Sequence, residues 1–193
     1  MVVIMSVVLT SQSSFNKTLI LSNTTYDIAL SLHSVESFGL GSRVAGSTLN
    51  TGYGIDFQSA TPNVFTLFAD TYPSPNASNC HGVPRGDPNA PDIQPGDCVY
   101  EPSRENKVNE YTLGNGITIT KLCAFSGTTW LCGLTSLDIV FARPNPTPFI
   151  RANGSPNSPY SNACLTVSSP QGTSRFISIS TSGEINANAT SCP

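Results

Sequence analysis

A helical repeat near the start of the chain constrains the fold more than any other feature. From Phe15 to Gly39 there is no proline, and apolar or small residues recur at alternating steps of four and three: Leu21, Thr25, Ile28, Leu32, Val35 and Gly39. This spacing puts them on one side of an α-helix, and Gly39 and Gly41 provide a helix stop. The pattern predicts a helix whose core face consists of Leu21, Ile28, Leu32 and Val35.

The same helix can continue upstream through an uncharged opening. Seven aliphatic or methionine side chains are clustered there: Val2, Val3, Ile4, Met5, Val7, Val8 and Leu9. Nine helical residues span roughly 14 Å, whereas a bilayer span requires roughly 20 apolar residues. No basic residue precedes Lys17, so the stretch also lacks the basic region of a secretory signal. We predict that residues 1–14 are an apolar stem and residues 15–41 the amphipathic half of one long helix.

Beyond Gly41 the pattern changes to short runs rich in β-branched and aromatic residues. Seven such runs are separated by Gly, Pro, Asn and Ser: 53–57, 63–70, 109–113, 116–125, 137–143, 163–169 and 174–180. This spacing is typical of antiparallel sheet, and SSPQGTS and TSGE have the composition of hairpin turns. The predicted fold class is therefore α+β: a long N-terminal helix packed on an antiparallel β-sheet domain of residues 42–193. The stretch 73–105 contains seven prolines, and we predict that it is an inserted loop.

The six cysteines predict disulfides. They are Cys80, Cys98, Cys123, Cys132, Cys164 and Cys192, with no C-x-x-C motif and only two His in the chain. Zinc sites usually use closely spaced Cys and His, so this spacing favours disulfides formed in an oxidising compartment. Sequence alone does not choose among the pairings that six cysteines allow. We favour nearest neighbours: Cys80 with Cys98, Cys123 with Cys132, and Cys164 with Cys192.

Composition and charge narrow the range of functions. Charged residues make up 11% of the chain, against about 25% in typical soluble proteins, so Ser, Thr, Asn and Gly supply most of the polar surface. Such a balance is typical of secreted and surface proteins. The net charge is −3 and the nine Lys and Arg are scattered, so there is no basic patch and we predict no nucleic-acid partner.

Few residues are candidates for catalysis or metal binding. His33 lies within the predicted helix, and His81 follows a cysteine that cannot be a nucleophile once it is oxidised. The motifs of serine hydrolases, zinc proteases and phosphate-binding loops are absent, so we predict no enzyme activity. Asp87, Asp92 and Asp97 lie five apart in the predicted loop and could hold calcium, but the spacing does not match an EF-hand. Asp beside Pro and Gly is ordinary turn chemistry, and we predict no cofactor.

Several stretches of this sequence resemble type IV pilin-like proteins. YGIDFQSATPNVFTLFAD, NEYTLGNGITIT, LDIVFARPNPTPFI and SRFISISTSGEI are similar to the C-terminal domain of minor pilins and pseudopilins of the GspH and FimT families. VVIMSVVLTSQSSF resembles the end of the prepilin N-terminal segment. The resemblance covers most of the chain outside 73–105. It implies a non-enzymatic structural subunit of a type IV pilus, a competence pilus or a type II secretion pseudopilus.

The resemblance also implies partners and a location. Before assembly the stem would serve as a transmembrane anchor in the lipid of the cytoplasmic membrane, and in an extracellular filament it would pack among the stems of other pilin-like subunits. In that family a basic leader and then Gly, an aromatic residue and Glu precede the apolar helix, and the resemblance places Met1 just after that Glu. The alternative interpretation is a secreted, disulfide-stabilised adhesin or binding module whose 73–105 loop recognises a ligand.

Overall fold

The computed structural model describes residues 2–41, 51–72, 96–142 and 145–193, with side chains from Lys17 onward except those of residues 145 and 146. One helix, α1, extends over Val2–Leu40, and the N–H of Gly41 donates to the carbonyl of Ser37 at its end. A Cβ on Gly39 would lie 2.1 Å from the carbonyl oxygen of Phe141. The predicted helix stop is thus also the point where the helix backbone touches a strand.

Eleven strands follow in the described part of the chain: β1 (Gly52–Gln58), β2 (Val64–Asp70), β3 (Asn106–Thr112), β4 (Thr118–Phe125), β5 (Trp130–Cys132), β6 (Ser136–Ala142), β7 (Asn145–Ala152), β8 (Ser155–Tyr160), β9 (Asn162–Ser168), β10 (Ser174–Ser180) and β11 (Ile185–Ala189). The first sheet has six strands in the order β3-β2-β1-β6-β7-β8, and the second sheet has five in the order β11-β10-β9-β4-β5. All neighbouring strands run antiparallel.

The strand predictions were correct for seven runs and missed four strands, namely β5, β7, β8 and β11. β7 and β8, with the sequences NPTPFIRA and SPNSPY, contain prolines that indicate turns rather than strands. β8 lies at the edge of the first sheet, where proline is tolerated because one side of the strand makes no ladder hydrogen bonds. β5 has only three residues, too few for an alternating pattern.

The predicted fold class, α+β with a long helix packed on one sheet domain, is wrong. The described part of the chain is mostly β, with eleven strands in two antiparallel sheets. Described side chains of the single helix cover only residues 17–40, and this part contacts β1, β6 and β7 of the first sheet and β9, β10 and β11 of the second. Of the four additional strands, β7 and β8 extend the first sheet and β5 and β11 extend the second, and the sequence pattern did not separate the two sheets.

One core lies between α1 and the two sheets. Ile28 and Leu32 of the helix contact a cluster that includes, from the first sheet, Ile55, Phe57 and Ile139 and, from the second sheet, Leu165, Val167 and Ile177. Burial of each such side chain contributes about 1.5 to 3 kcal/mol. The side of the first sheet that faces this cluster is called the inner face below.

Strand alternation places the remaining side chains of the first sheet on its opposite side, the outer face. Residues 96–105, called the covering segment, contain no helix or strand and lie on this face. Cys98 packs with Phe68 and Val140, and the ring of Tyr100 lies 5.0 Å from that of Phe68. The predicted inserted loop therefore has a packed end, whereas residues 73–95 lie outside the described residues.

Candidate functional site

The side chains of the predicted helix face lie in the core. Leu21, Ile28, Leu32 and Val35 are at most 1% exposed, and the hydroxyl of Thr25, on the same face, donates to the carbonyl of Leu21 at 2.7 Å. These residues hold α1 against the sheets. The predicted stem side chains from Val2 to Leu9 lie outside the described side chains. Within the described part of the chain, no helix has both the length and the hydropathy needed to span a membrane.

Two of the predicted disulfides are present in the structure. Cys123 and Cys132 are bonded across the β4–β5 pair, and Cys164 of β9 is bonded to Cys192 near the C-terminus. Cys98 is also disulfide-bonded, but Cys80 lies outside the described residues, so the third pairing stays a prediction. Because disulfides persist in oxidising environments, these bonds indicate an extracellular or otherwise oxidising location.

Most of the candidates for chemistry named from sequence lie outside the described residues. His33 lies on the exposed side of α1, with its Nδ1 atom 3.1 Å from Oε2 of Glu36. His81, Asp87 and Asp92 lie outside the described residues. Among the residues that are described, no group of three or more His, Cys, Asp or Glu side chains is arranged to hold a metal ion.

A cluster of buried carboxyls on the outer face was not singled out from sequence. Asp56 of β1 lies opposite Asp138 of β6, and Asp138 lies opposite Arg151 of β7. Asp70, the last residue of β2, hydrogen-bonds Glu105 of the covering segment. The four carboxyl side chains are 2%, 1%, 0% and 8% exposed in the order Asp56, Asp138, Asp70 and Glu105. We call these four residues the acid cluster.

Asp70 and Glu105 form one pair of the acid cluster. The N–H groups of Asp97 and Cys98 donate to Oδ1 and Oδ2 of Asp70 at 3.1 and 2.9 Å, and the N–H of Glu101 donates to Oε2 of Glu105 at 3.1 Å. Burial is the main cause that raises the pKa of Asp70 to about 8 and that of Glu105 to about 10. The charge of Asp70 and its hydrogen bond raise the pKa of Glu105 further, so Glu105 keeps its proton longer.

Gly96 allows the covering segment to approach Asp70 this closely. Its φ is +105°, and a Cβ at this position would lie 2.3 Å from the carboxyl carbon of Asp70. Cys98 also has a positive φ, of 65°. Successive N–H groups in such turns form a concavity that binds anions, and here the concavity holds the carboxyl group of Asp70.

Asp56 and Asp138 form the second pair of the acid cluster. Nε2 of Gln58 donates to both carboxyl oxygens of Asp56 at 3.0 Å, and the N–H of Tyr100 donates to Oδ1 of Asp138 at 3.1 Å. Burial, again the largest cause, raises the pKa of Asp56 to about 6 and that of Asp138 well above its ordinary value. The charge of Asp56 adds to the rise for Asp138. The two pairs thus tie three strands to the covering segment.

Arg151 is the buried basic side chain among the described residues. Its Nε atom donates to the carbonyl of Pro156 at 2.8 Å, and its guanidinium also donates to the carbonyl of Ile150 at 3.0 Å. Burial lowers the pKa of Arg151, while the charges of Asp70 and Asp97 act in the opposite direction. One guanidinium cannot balance four buried carboxylates, so part of the acid cluster has to stay protonated.

The acid cluster is suited to holding protons rather than to contacting a substrate. Its carboxyls are covered by the segment that they bind, whereas a general acid or base has to reach the reacting group. Described cavities lie elsewhere: one of about 350 Å³ is formed by α1 and the edge of the first sheet, with Ile28, Phe65 and Tyr111 in its wall. The arrangement therefore ties a surface segment to the outer face of the first sheet.

A signal for the acid cluster exists in the sequence. YGIDF and LDIVFA each contain one carboxylate in an otherwise apolar strand, and strand alternation places it opposite the apolar inner face. Such a position is ordinarily solvent-exposed in an antiparallel sheet. Only the covering segment, which reaches the sheet from a distant part of the chain, makes these positions buried.

Comparison with protein-family models, with curated proteins and with solved structures finds no match to this chain.

Proposed function

We propose that this chain is a non-enzymatic, pilin-like structural subunit of an extracellular filament, and the division of α1 supports the proposal. The helix has 39 residues, a length of about 58 Å at 1.5 Å per residue. Among its described side chains, packing against the domain starts at Ile20 and Leu21. Residues Leu21–Gly39 account for roughly 27 Å of the helix, so the domain core needs about half of it.

The N-terminal half of α1 has a sequence that is unfavourable to expose to water. Residues 2–16 are helical and carry no charged side chain, and seven of the first nine residues after Met1 are Val, Ile, Met or Leu. Exposure of an apolar helix of this kind is unfavourable, so it would associate with lipid or with the equivalent helices of other subunits. The filament system served, whether pilus, competence pilus or secretion pseudopilus, belongs to the proposal only through the sequence resemblance.

A truncation tests the proposal. A version that begins at Lys17 keeps every helix residue of the core, and we expect it to be a monomer with the melting temperature of the full chain. The full chain should self-associate or enter detergent micelles. Light scattering in detergent-free buffer measures both, and a monomeric full chain would contradict the proposal.

A full-length variant provides the matched control. Replacing Val7, Val8 and Leu9 by Ser keeps the length of the chain and removes most of the apolar character at the centre of the stem. We expect this variant to behave as the truncated version does. Continued association of the variant would mean that another surface causes it.

A secreted binding module is the second candidate function, and an exposed apolar hairpin favours it. Trp130 and Leu131 of β5 are 37% and 45% exposed, on a hairpin closed by the Cys123–Cys132 disulfide. The edge position of β5 in the second sheet leaves this hairpin open on one side. A monomeric full chain in the truncation experiment would favour this function over the filament subunit.

A further inference from the structure

Two carboxyl oxygens in the acid cluster have no hydrogen-bond partner of normal geometry, although the backbone N–H of Tyr72 is close enough to act against the raised pKa of Glu105. They are Oε1 of Glu105 and Oδ2 of Asp138, both inaccessible to solvent, and each is the second oxygen of a carboxyl whose first oxygen accepts a backbone N–H. A buried carboxylate oxygen without a partner is strongly unfavourable, because it has lost its water and gained nothing in exchange. These oxygens therefore need a proton or a cation.

The neighbouring carboxyls show where the protons belong. Glu105 is paired with Asp70, and Asp138 with Asp56. Asp70 already accepts two N–H groups and Asp56 accepts the amide of Gln58, so these two are suited to be the ionised members. A proton on Oε1 of Glu105 and another on Oδ2 of Asp138 would each be donated to the ionised partner. As acceptors, the two oxygens have no hydrogen-bond partner. As protonated O–H donors, each would form a hydrogen bond to the carboxylate of the other member of its pair.

We propose that two shared protons, one between Glu105 and Asp70 and one between Asp138 and Asp56, hold the covering segment on the outer face, and that the segment loosens when alkaline solution removes them. The carboxyls bind the covering segment at two places. Asp70 accepts the N–H groups of Asp97 and Cys98, and Asp138 accepts that of Tyr100. Loss of a shared proton leaves two carboxylates in contact, which repel each other in a site of low polarity.

The charged surroundings do not replace the protons. The titratable and charged groups near the acid cluster are Arg151 of β7 and, in the covering segment, Asp97, Tyr100, Glu101 and Arg104. Lys107 and Glu110 of β3 act on Tyr100. Lys107 is bound to Glu110 and Arg104 to Glu101, both at the surface. Arg151 donates to two carbonyls. No described group of acidic residues is arranged to hold a metal ion.

Hydrogen exchange of the full chain tests the proposal directly. The protection factors of the Cys98 and Tyr100 amides, which bind Asp70 and Asp138, should fall by at least about tenfold between pH 8.5 and pH 11, a range that spans the raised pKa of Glu105 of about 10, and a tenfold change corresponds to about 1.4 kcal/mol. The amide of Ile139, in the centre of the first sheet, should keep its protection factor. Equal behaviour of the three amides would overturn the proposal. So would a rise in protection at pH 11 on addition of calcium chloride, because a cation would then occupy the pairs.

Amide variants distinguish the donor from the acceptor in each pair. In Glu105→Gln and Asp138→Asn an N–H can replace the O–H at the orphan oxygen, so we expect both variants to fold and to keep the Cys98 and Tyr100 amides protected at pH 11. In Asp70→Asn one of the two backbone donors meets an NH₂ group, and protection should be lost at every pH. If Glu105→Gln retained the alkaline loss of protection at Cys98, or if Glu105→Gln and Asp70→Asn behaved alike, the assignment of the protons would be wrong.

Discussion

The inner face of the first sheet carries Ile55 and Ile139 on β1 and β6, whereas the outer face carries Asp56 and Asp138 at the next positions along the same two strands. Both faces are buried to a similar degree, since all four side chains are at most 2% exposed. The inner face is covered by a helix that needs no particular protonation state. The outer face is covered by an irregular segment that donates N–H groups to carboxyls.

This difference shows that burial alone does not say how a surface is stabilised. Apolar burial on the inner face is nearly independent of pH, because no group there gains or loses a proton. On the outer face the folded chain keeps protons that the unfolded chain releases, so its contribution depends on pH. Two faces of one sheet can therefore respond differently to the same change of solution, and the following predictions use that contrast.

The largest effect is expected on the inner face. Leu32→Ala removes a fully buried helix side chain and should lower the free energy of unfolding by about 2 to 5 kcal/mol. The loss should be the same at pH 5 and pH 9, since no titratable group is involved. Urea unfolding of the full chain at both pH values measures it. Ser31→Ala, one residue away on an outward position, is the control and should change stability by less than about 0.5 kcal/mol.

The next effect is expected where the covering segment meets Asp70. Gly96→Ala places a Cβ 2.3 Å from the Asp70 carboxyl carbon at a φ of +105°, and we expect a loss of about 1 to 3 kcal/mol beyond that of the control. Gly127→Ala is the matched control, because Gly127 has a φ of +94° and no atom within 4 Å of an added Cβ. Thermal unfolding of both variants separates backbone strain from the clash, and equal losses would mean that the Asp70 contact is unimportant.

The pH dependence of the whole domain should follow the outer face. In the unfolded chain the carboxyls lose protons near pH 4, whereas in the folded chain Asp56, Asp70 and Glu105 keep them to about pH 6, 8 and 10. Their pKa values are raised on folding, so the stabilisation is complete below about pH 4 and is lost as the pH rises through the folded values.

Calorimetry provides the measurement. The melting temperature should be lower at pH 9 than at pH 5 by more than about 2 to 4 °C, the shift that 1 kcal/mol causes in a domain of this size. The melting temperature of Leu32→Ala should be lower than that of the wild-type chain at both pH values and should decrease by the same amount from pH 5 to pH 9. Such a result would assign the pH dependence to the outer face. A melting temperature that rises between pH 5 and pH 9 would contradict the assignment of raised pKa values.

The smallest effect is expected from exposed charges on the same sheet. Lys107 and Glu110 of β3 form an ion pair of 3.1 Å, with side chains 52% and 48% exposed. Lys107→Ala should change stability by no more than about 0.5 kcal/mol, since solvent and salt screen such pairs. In 0.5 M sodium chloride the stability difference between Lys107→Ala and the wild-type chain should disappear. A loss of stability in Lys107→Ala larger than about 0.5 kcal/mol would show that Lys107 acts on the acid cluster.

Sequence reasoning predicted the features that depend on local pattern. The spacing of Leu21, Ile28, Leu32 and Val35 identified the buried helix face, because a helix repeats every 3.6 residues. The Cys123–Cys132 and Cys164–Cys192 bonds were predicted by pairing nearest neighbours in the sequence. β7 and β8 were missed because their prolines indicate turns. For β8 the prolines are tolerated by its position at the edge of the sheet, and a position in a sheet is not visible in a local pattern. The predicted fold class failed for the same reason.

The acid cluster shows most clearly what could not be predicted from the sequence. The sequence by itself determined that Asp56 and Asp138 lie on the side of their strands opposite the apolar residues, since side chains alternate along a strand. Only the tertiary structure decided that these two face each other across neighbouring strands, and that residues 96–105 cover them and bring Glu105 to Asp70. The pKa of a carboxyl depends on what surrounds it in space, so it is decided by segments far apart in the chain and not by the residues beside it.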